Sequence, residues 1–204
     1  DRTSRGLGDV YKRQGLNSLQ AELVGIAFSW EKHKGYYLYI PEDQYKAKTI
    51  IQEFRPFFEN QQIEKIGHNL KYDLKVLLKY EIKVVGPLYD TMIAHYLINP
   101  DMRHNMDALA ETYLNYSPQS IIELIGKKGK NQGNMREVDL TKQTEYAVED
   151  ADITFQLKQH FQKEVKDVNA TKLFQEVELP LVDVLTAMEA EGINLNVSFL
   201  NELS

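Results

Sequence analysis

The chain has 204 residues, of which 43% are hydrophobic, a formal net charge of −6 and no cysteine. This length and apolar content allow one substantial hydrophobic core with an appendage. The lack of cysteine excludes disulfides and thiolate metal sites, and the acidic balance argues against a protein that grips long duplex DNA by neutralising phosphates. Carboxylates that hold divalent cations remain compatible with this balance, because the ions supply positive charge.

The apolar runs of the chain are far shorter than the ~20 residues needed to cross a bilayer. The chain also does not open on the charged, apolar and small-residue pattern of a signal peptide. We therefore expect a cytoplasmic monomer with no membrane partner. One basic concentration, at residues 126–136, is interrupted by glycine, and it is interpreted equally well as a solvated loop or as a surface that faces nucleic acid.

The chain alternates between strands and helices in its first half and is helical in its second. The predicted strands are apolar, β-prone runs, of which the first two form an antiparallel pair, and the predicted helices carry apolar residues at helical spacing. Asp43 and Asn69 stand where two N-caps are expected. In chain order, strands are predicted at residues 22–30, 35–40, 63–66 and 82–85, and helices at residues 43–59, 69–80, 90–97, 106–114, 141–168 and 173–191.

Two of these helices begin with a polar residue and a carboxylate at the same spacing. Residues four apart lie one above the other on a helix, so Tyr146 and Asp150 can point into one cleft, and Asn69 and Asp73 can do the same. A strand, a turn and a helix N-terminus come before Asp73, which is the usual setting of a functional residue in an open α/β sheet. The pattern therefore indicates a metal-dependent nuclease site with oxygen ligands.

Several sequence blocks, in one order, carry a family resemblance. From about residue 16 to its end the chain resembles the 3′-5′ proofreading exonuclease domain of bacterial polymerase-I-type (family A) DNA polymerases, followed by the start of the polymerase domain. The matching blocks lie at residues 23–28, 66–73, 90–92, 103–111, 129–132, 146–152, 178–182 and 191–193. By this resemblance, residues 1–14 are an unmatched leader, residues 15–168 the exonuclease domain and residues 169–204 the incomplete polymerase domain.

The resemblance implies an α/β, RNase H-like exonuclease fold with a mixed central sheet flanked by helices. It also implies a site in which four carboxylates and a tyrosine bind two Mg²⁺ or Mn²⁺ ions, the hard cations that oxygen ligands suit. The implied substrate is the 3′ end of single-stranded DNA, and the implied partner is the polymerase domain of the same chain.

The resemblance also assigns roles residue by residue. Asp150 would be a direct ligand of the ion that activates water, Asp73 would hold the second ion through its water shell, and Tyr146 would orient the attacking water. The residues that would contact the terminal nucleotide and its phosphates are Asn69, Arg103 and Leu16.

The chain departs from the family pattern at its first strand. In the family this strand carries Asp-x-Glu, both metal ligands, and counting back in register places these positions at Val10 and Lys12. A valine cannot ligate a metal, and a lysine ammonium would repel one. The leader is Gly-rich and basic, lacks the apolar run expected of a central strand, and resembles a vector- or adaptor-derived end. We expect that the native first strand was truncated and replaced, which leaves little activity.

Each assigned residue has a simpler interpretation. Asp73 can be an exposed carboxylate that pairs with Lys75 or Lys79, and Asp150 can lie on a solvated face. The other residues with a purely structural interpretation are Asn69 as a helix cap, Arg103 and His104 as loop residues, and Glu149 and Asp152 as solvated or helix-pairing groups.

Two other functions stay open. The domain can be a non-catalytic module that braces the polymerase domain, or, less in keeping with residues 178–182 and 191–193, an RNA 3′-processing exoribonuclease of the same superfamily. The last long helix carries apolar residues at core-like spacing, so it either packs back on the exonuclease core or leaves an apolar stripe exposed. These residues are Val177, Leu181, Val184, Leu185 and Met188.

Overall fold

A five-stranded mixed sheet forms the centre of the computed structural model, which describes residues 4–12 (backbone only), 22–127 and 132–202. The strand order is β3-β2-β1-β4-β5, with antiparallel β1–β2 and β2–β3 pairs and parallel β1–β4 and β4–β5 pairs. The strands are β1 Ser4–Lys12, β2 Leu23–Glu31, β3 Lys34–Tyr39, β4 Glu64–Gly67 and β5 Leu88–Asp90. The expected mixed sheet flanked by helices is confirmed.

The leader segment occupies the middle of this sheet. Ser4 and Gly6 of β1 pair with Glu64 and Ile66 of β4, while later residues of β1 pair only with β2. The first strand is therefore not missing, although its sequence lacks the apolar run expected of a central strand. Every residue except proline can form main-chain hydrogen bonds to a strand on each side. This explains how a polar, Gly-rich segment fits in the middle of the sheet.

One face of the sheet is covered by α1 Gln44–Glu53, α2 Arg55–Phe58 and α3 Leu70–Leu78. Asp43 caps α1 as predicted, accepting the Lys46 N–H at 2.8 Å. The single helix predicted over residues 43–59 is wrong, because the chain breaks at Phe54 and restarts with Pro56 in the first turn of α2. Proline has no N–H to donate to Gln52 O and its ring would crowd that carbonyl, so α1 cannot continue through position 56, whereas a new first turn does not need this N–H.

The strand predicted at residues 82–85 is also wrong. This segment is extended, and Ile82 is buried in the core, but it pairs with no strand of the described sheet. The Val85 N–H donates to Phe58 O at 3.1 Å, and Gly86 then turns with φ of 88°. Pairing begins only with β5, where Leu88 lies opposite Lys65.

The other face carries α4 Thr91–Ile98, α5 Met106–Leu114, the short α6 Ile121–Ile125, a 3-10 turn and the long α7 Leu140–Asp167. Helix α7 contacts β1, β2, β3 and β4 and packs against α4 and α5. Helices therefore lie on both faces of the sheet. The helices predicted at residues 90–97, 106–114 and 141–168 are confirmed to within a residue at each end.

The C-terminal segment comprises α8 Thr171–Leu173, a π-turn, α9 Leu179–Glu191 and α10 Val197–Glu202. The predicted helix stop at Gly192 is confirmed, with φ of 79°. Helix α9 packs on α3 through Val182, but most of its apolar side chains face solvent, so the stripe stays exposed. The exposed ones are Leu181, Val184 and Met188, and Val177 of the preceding π-turn is exposed as well. Over the described ranges, no helix is both long and apolar enough to cross a membrane.

Candidate active site

Asp73 lies in the first turn of α3 and is only 3% exposed. It sits above the end of β4, because a Cβ built on Gly67 would come within 3.8 Å of Asp73 Oδ2 and within 2.4 Å of Leu70 Cδ2. Glycine at this position therefore lets the helix start close over the strand end. The interpretation of Asp73 as an exposed carboxylate is wrong, and Lys75 instead pairs with Glu189 of α9.

Asn69 begins α3 but does not cap it. Its backbone is left-handed, with φ of 63° and ψ of 50°, and its side chain makes no capping hydrogen bond. The cap is Asp90, whose carboxylate accepts the N–H groups of Leu70 at 2.7 Å and Asn69 at 3.3 Å. The prediction of Asn69 as the capping side chain is therefore wrong. Its left-handed turn brings the chain from β4 into the helix.

Tyr146 and Asp150 lie on the buried face of α7, one turn apart, with 9% and 6% of their surfaces exposed. The adjacent residues Ala147 and Ala151 pack with Val24 and Ala27 of β2, which brings α7 close to the sheet. Small side chains at these two positions leave room for the helix to approach. The interpretation of Asp150 as a member of a solvated face is wrong.

One turn before Tyr146, Gln143 fixes the start of this face. It is 4% exposed, accepts the Tyr37 hydroxyl at 3.1 Å and donates to Val138 O at 2.7 Å. Buried amides are costly unless they are bonded, so these bonds hold the first turns of α7 in one rotation over β3.

The two helices approach the same part of the sheet from opposite faces. Both α3 and α7 contact β1, and β1 continues beyond the end of β4, pairing Val10 with Ile26 and Lys12 with Leu23. The two positions that the resemblance assigns to Asp-x-Glu lie on the part of β1 that extends beyond β4. This is the edge at which α3 begins.

The predicted substrate contacts fall in different surroundings. Asn69 is partly buried beside the Asp90 carboxylate, whereas Arg103 is exposed on the loop between α4 and α5. Leu16 lies outside the described residues. The structure therefore brings Asn69 next to the start of α3 and leaves Arg103 on a separate loop.

Asp90 stands out in the sequence only as the first residue of a matching block, yet its carboxylate accepts four backbone N–H groups. Two of these are the N–H groups of Met92 at 2.9 Å and Ile93 at 3.2 Å, so it caps α4 as well as α3. Burial raises the pKa of Asp90, and the four backbone hydrogen bonds oppose the rise. Its position directly before a helix is the sequence signal for the second of these caps.

The expectation of a solvated or helix-pairing group is wrong for Glu149 and confirmed in part for Asp152, which accepts the Gln156 side-chain amide of its own helix at 2.7 Å. Glu149 accepts the Tyr116 hydroxyl and, at 2.9 Å, the Gln119 N–H of the loop after α5. The bond to Glu149, followed by burial, raises the pKa of Tyr116. Asp152 accepts the His33 N–H at 2.7 Å in the β2–β3 turn. These long-range bonds leave no signal in the sequence.

Arg136 is not available to nucleic acid. Its guanidinium donates to Leu23 O at 2.8 Å and Ile40 O at 2.9 Å, and so bridges the ends of the β2–β3 pair. Arg136 therefore does not support the interpretation of residues 126–136 as a surface that faces nucleic acid. Residues 128–131 lie outside the described residues.

The donor set fits a hard divalent cation in type but not in number. Buried Asp73 and Asp150 supply the oxygen ligands that Mg²⁺ and Mn²⁺ prefer. Within residues 22–127 and 132–202, however, no group of three or more histidine, cysteine, aspartate or glutamate side chains is placed to hold a metal ion. The described side chains therefore supply an incomplete site.

Comparisons with solved structures support the fold. Brucella melitensis NrnC superposes with a TM-score of 0.75 at 21% identity, covering 94% of this chain and 87% of that one. The POL domain of Pol1 from M. smegmatis, in complex with DNA primer-template and dNTP, superposes with a TM-score of 0.70 at 19% identity, covering 98% of this chain and 30% of that one. Both likenesses show the nuclease-like, RNase H-like architecture.

Comparisons with known sequences identify the family as well as the fold. The chain is 36% identical over 189 residues to DNA polymerase I of Borreliella burgdorferi and 34% identical over 192 residues to that of Chloroflexus aurantiacus. These matches cover 91% and 92% of this chain but only 20% of each polymerase, so the chain spans about a fifth of their length. A family model described as 3′-5′ exonuclease matches residues 13–166. The chain therefore belongs to the 3′-5′ exonuclease domain family of DNA polymerase I.

Proposed function

We propose that residues 15–168 are the proofreading domain of a cytoplasmic, monomeric DNA polymerase I, and that residues 169–204 begin its polymerase domain. The parent protein would remove 3′-terminal nucleotides from single-stranded DNA. The observation that carries this proposal is the pair of buried carboxylates, Asp73 and Asp150, on two helices that both contact the central strand. Burying a carboxylate is costly unless it is hydrogen-bonded, paired or coordinates a metal ion, and the family resemblance assigns metal binding to both of these residues.

The site residues take the roles that the family implies. Asp150 and Asp73 would hold the Mg²⁺ or Mn²⁺ ions, and Tyr146, one turn from Asp150, would orient the attacking water. When bound, such ions make water nucleophilic near neutral pH and stabilise the departing 3′ oxygen. The side chains that would contact the terminal nucleotide are Asn69, Arg103 and Leu16.

The chain with this sequence should itself be nearly inactive. In the register that the family resemblance implies, Val10 and Lys12 occupy the two remaining ligand positions, and both lie on the part of β1 that pairs with β2 alone. Neither residue can replace a carboxylate ligand. Low activity then follows from chemistry at two positions rather than from loss of the fold.

The test restores the two ligands. The double substitution Val10→Asp and Lys12→Glu should raise Mn²⁺-dependent degradation of a 5′-labelled single-stranded oligodeoxynucleotide by at least about a hundredfold, the scale of effects when catalytic ligands are changed. Adding Asp150→Asn to the restored chain should return the rate to background. If the restored chain gains nothing while its circular dichroism is unchanged, the assigned register is wrong.

A second candidate function is a non-catalytic module that supports the polymerase domain. The residues at positions 10 and 12 favour it, because neither Val10 nor Lys12 can ligate a metal ion. The identity of the residues at positions 10 and 12 in the full-length parent discriminates the two: Asp and Glu there support the exonuclease, and any other pair supports the module.

Action on RNA is the third candidate. Its support is the fold likeness to Brucella melitensis NrnC, which has been solved bound to pGG and with bound Mg²⁺. The sequence relatives above 30% identity are DNA polymerases I, which favours DNA. Comparing DNA and RNA oligonucleotides of one sequence on the restored chain decides between them, and faster cleavage of RNA would overturn the DNA assignment.

A further inference from the structure

The loop that carries Arg103 is tied at both ends to one buried histidine. At its start, the Asn99 N–H donates to His95 O at 2.8 Å. At its end, His104 Nδ1 lies 2.7 Å from His95 Nδ1. His95 is on α4 and is fully buried, whereas Arg103, between the two ties, is exposed. Both ends of the loop are therefore held by His95, while the Arg103 side chain is exposed to solvent.

His95 is itself held by a second side chain. Its Nε2 lies 3.0 Å from the Tyr113 hydroxyl of α5, so both ring nitrogens are engaged. Burial, and then the neighbouring His104 and His68, lower the pKa of His95 to about 4, so the ring is neutral at physiological pH. A neutral ring carries one proton, and either tautomer satisfies both bonds, because His104 and Tyr113 can each donate or accept.

Aromatic rings enclose this chain of hydrogen bonds. The His95 ring lies 5.4 Å from Phe161 of α7, and the Tyr113 ring lies 4.9 Å from Phe161 and 5.2 Å from His160. Tyr96 packs edge-on against His104 at 5.4 Å. Helix α7, which carries Asp150, is thereby connected to the Arg103 loop through packed side chains. Low polarity around these bonds makes each of them stronger and more costly to break.

We propose that His104, fixed by His95 and Tyr113, is a positioning residue that holds the Arg103 loop ready to contact the phosphate of a 3′-terminal nucleotide. The nucleotide ligand in this proposal depends on the proposed function. The hydrogen bonds that hold the loop are observed independently of it. An exposed arginine on a free loop would lose conformational entropy on binding, and a loop closed on His95 has already lost most of it.

The first experiment measures the tie without any ligand. In His104→Ala, amide hydrogen exchange of residues 99–105 should become roughly tenfold faster, because the loop loses the hydrogen bond that closes it on His95. His104→Asn should restore protection, because its amide can replace Nδ1. The matched control is His160→Ala, which removes a ring that contacts Tyr113 but makes no bond to the loop. Unchanged exchange in His104→Ala would overturn the proposal, whatever the chain binds.

The second experiment measures binding of a 5′-fluorescein-labelled single-stranded decathymidylate by anisotropy. His104→Ala should weaken binding about tenfold, as Arg103→Ala does, and the double variant should lose no more than either single variant. His104→Asn should bind like the unchanged chain. Additive losses, or a loss with Arg103→Ala alone, would overturn the positioning role. If the unchanged chain binds no oligonucleotide, the proposed function fails, and the loop tie is then judged by exchange alone.

Discussion

Asp90 shows how one residue can define a site without taking part in its chemistry. Its buried carboxylate caps the N-termini of two helices, because Asp90 lies directly before α4 and beside the start of α3. Negative charge at a helix N-terminus is stabilising, and here four N–H groups share it. The position of Asp73, in the first turn of α3, therefore depends on Asp90.

Replacing Asp90 by alanine should lower the free energy of unfolding by about 1–4 kcal/mol, which is the typical cost of losing a cap, counted for two helices. Chemical denaturation of both variants measures this. The matched control is Asp43→Ala, which removes one exposed cap with a single bond to Lys46 and should cost about 1 kcal/mol. Equal losses in the two variants would show that Asp90 caps only one helix.

Lys65 is a buried cation with two acceptors. It is fully buried, and its ammonium donates to Asn60 O and, at 2.6 Å, to Val85 O, which ties the segment before β5 to β4. Burial lowers the pKa of Lys65 to about 8 from its usual 10.5. Between these values the unfolded chain binds more protons than the folded one, so stability from this group rises with pH.

The stability of the unchanged chain relative to Lys65→Met should therefore increase between pH 8 and 10.5, by up to about 3 kcal/mol. The difference should be constant below pH 7, where Lys65 is protonated in both states. Denaturation midpoints of both chains across this range test the sign. A relative stability that falls as pH rises would mean that the folded pKa is raised rather than lowered.

At the scale of elements, α9 is held on α3 by one apolar contact and one charge cluster. Val182 packs with Leu70 and Leu74, and Glu189 accepts Lys71 at 2.6 Å and also pairs with Lys75. Both bonds lower the pKa of Glu189, Lys71 first. The pair is partly exposed, so the apolar contact should contribute more.

Val182→Ala should destabilise the chain by about 1–3 kcal/mol, because two buried methyl groups are lost. Val184→Ala, two residues along the same helix but half exposed, should change stability by less than ~0.5 kcal/mol. Thermal unfolding, with amide exchange in α9, compares them. Equal losses of stability in Val182→Ala and Val184→Ala would mean that α9 packs on α3 through a different face.

Elements whose signal is local were predictable, and those set by tertiary partners were not. The helix at residues 106–114 and the Tyr146–Asp150 spacing follow from periodicity alone, and both are confirmed in position. The break at Phe54 and the unpaired segment at residues 82–85 depend on the elements that pack nearby. The contacts of Glu149 and Asp152 depend on loops more than 25 residues away in sequence, which no local pattern encodes.

At the scale of the whole molecule, apolar side chains are gathered at the C-terminal end of the described chain. Besides the exposed stripe of α9, large apolar side chains after Gly192 are also exposed to solvent. They are Ile193, Leu195, Val197, Phe199 and Leu200. Exposure on this scale is typical of a surface that another body covers.

The chain should therefore bind the dye ANS under native conditions, and the double substitution Val184→Glu and Met188→Glu should reduce its fluorescence by about half or more. Tyr45→Glu is the control, because Tyr45 is 82% exposed but lies on α1, away from this surface. Fluorescence titration measures both variants. Equal reductions would show that the dye binds elsewhere.

Glu149 and Asp152 also set the rotation of the helix that contains Asp150. One binds the loop after α5 and the other binds the β2–β3 turn, so α7 is fixed on either side of the residue between them. Each residue inserted into a helix rotates the remainder of that helix by about 100°. One residue inserted between Gln143 and Glu149 would thus turn Asp150 away from its present direction and break the bonds of Glu149 and Asp152 to both loops. The conformations of these two loops and the direction of the Asp150 side chain therefore depend on the same rotation of α7 about its axis.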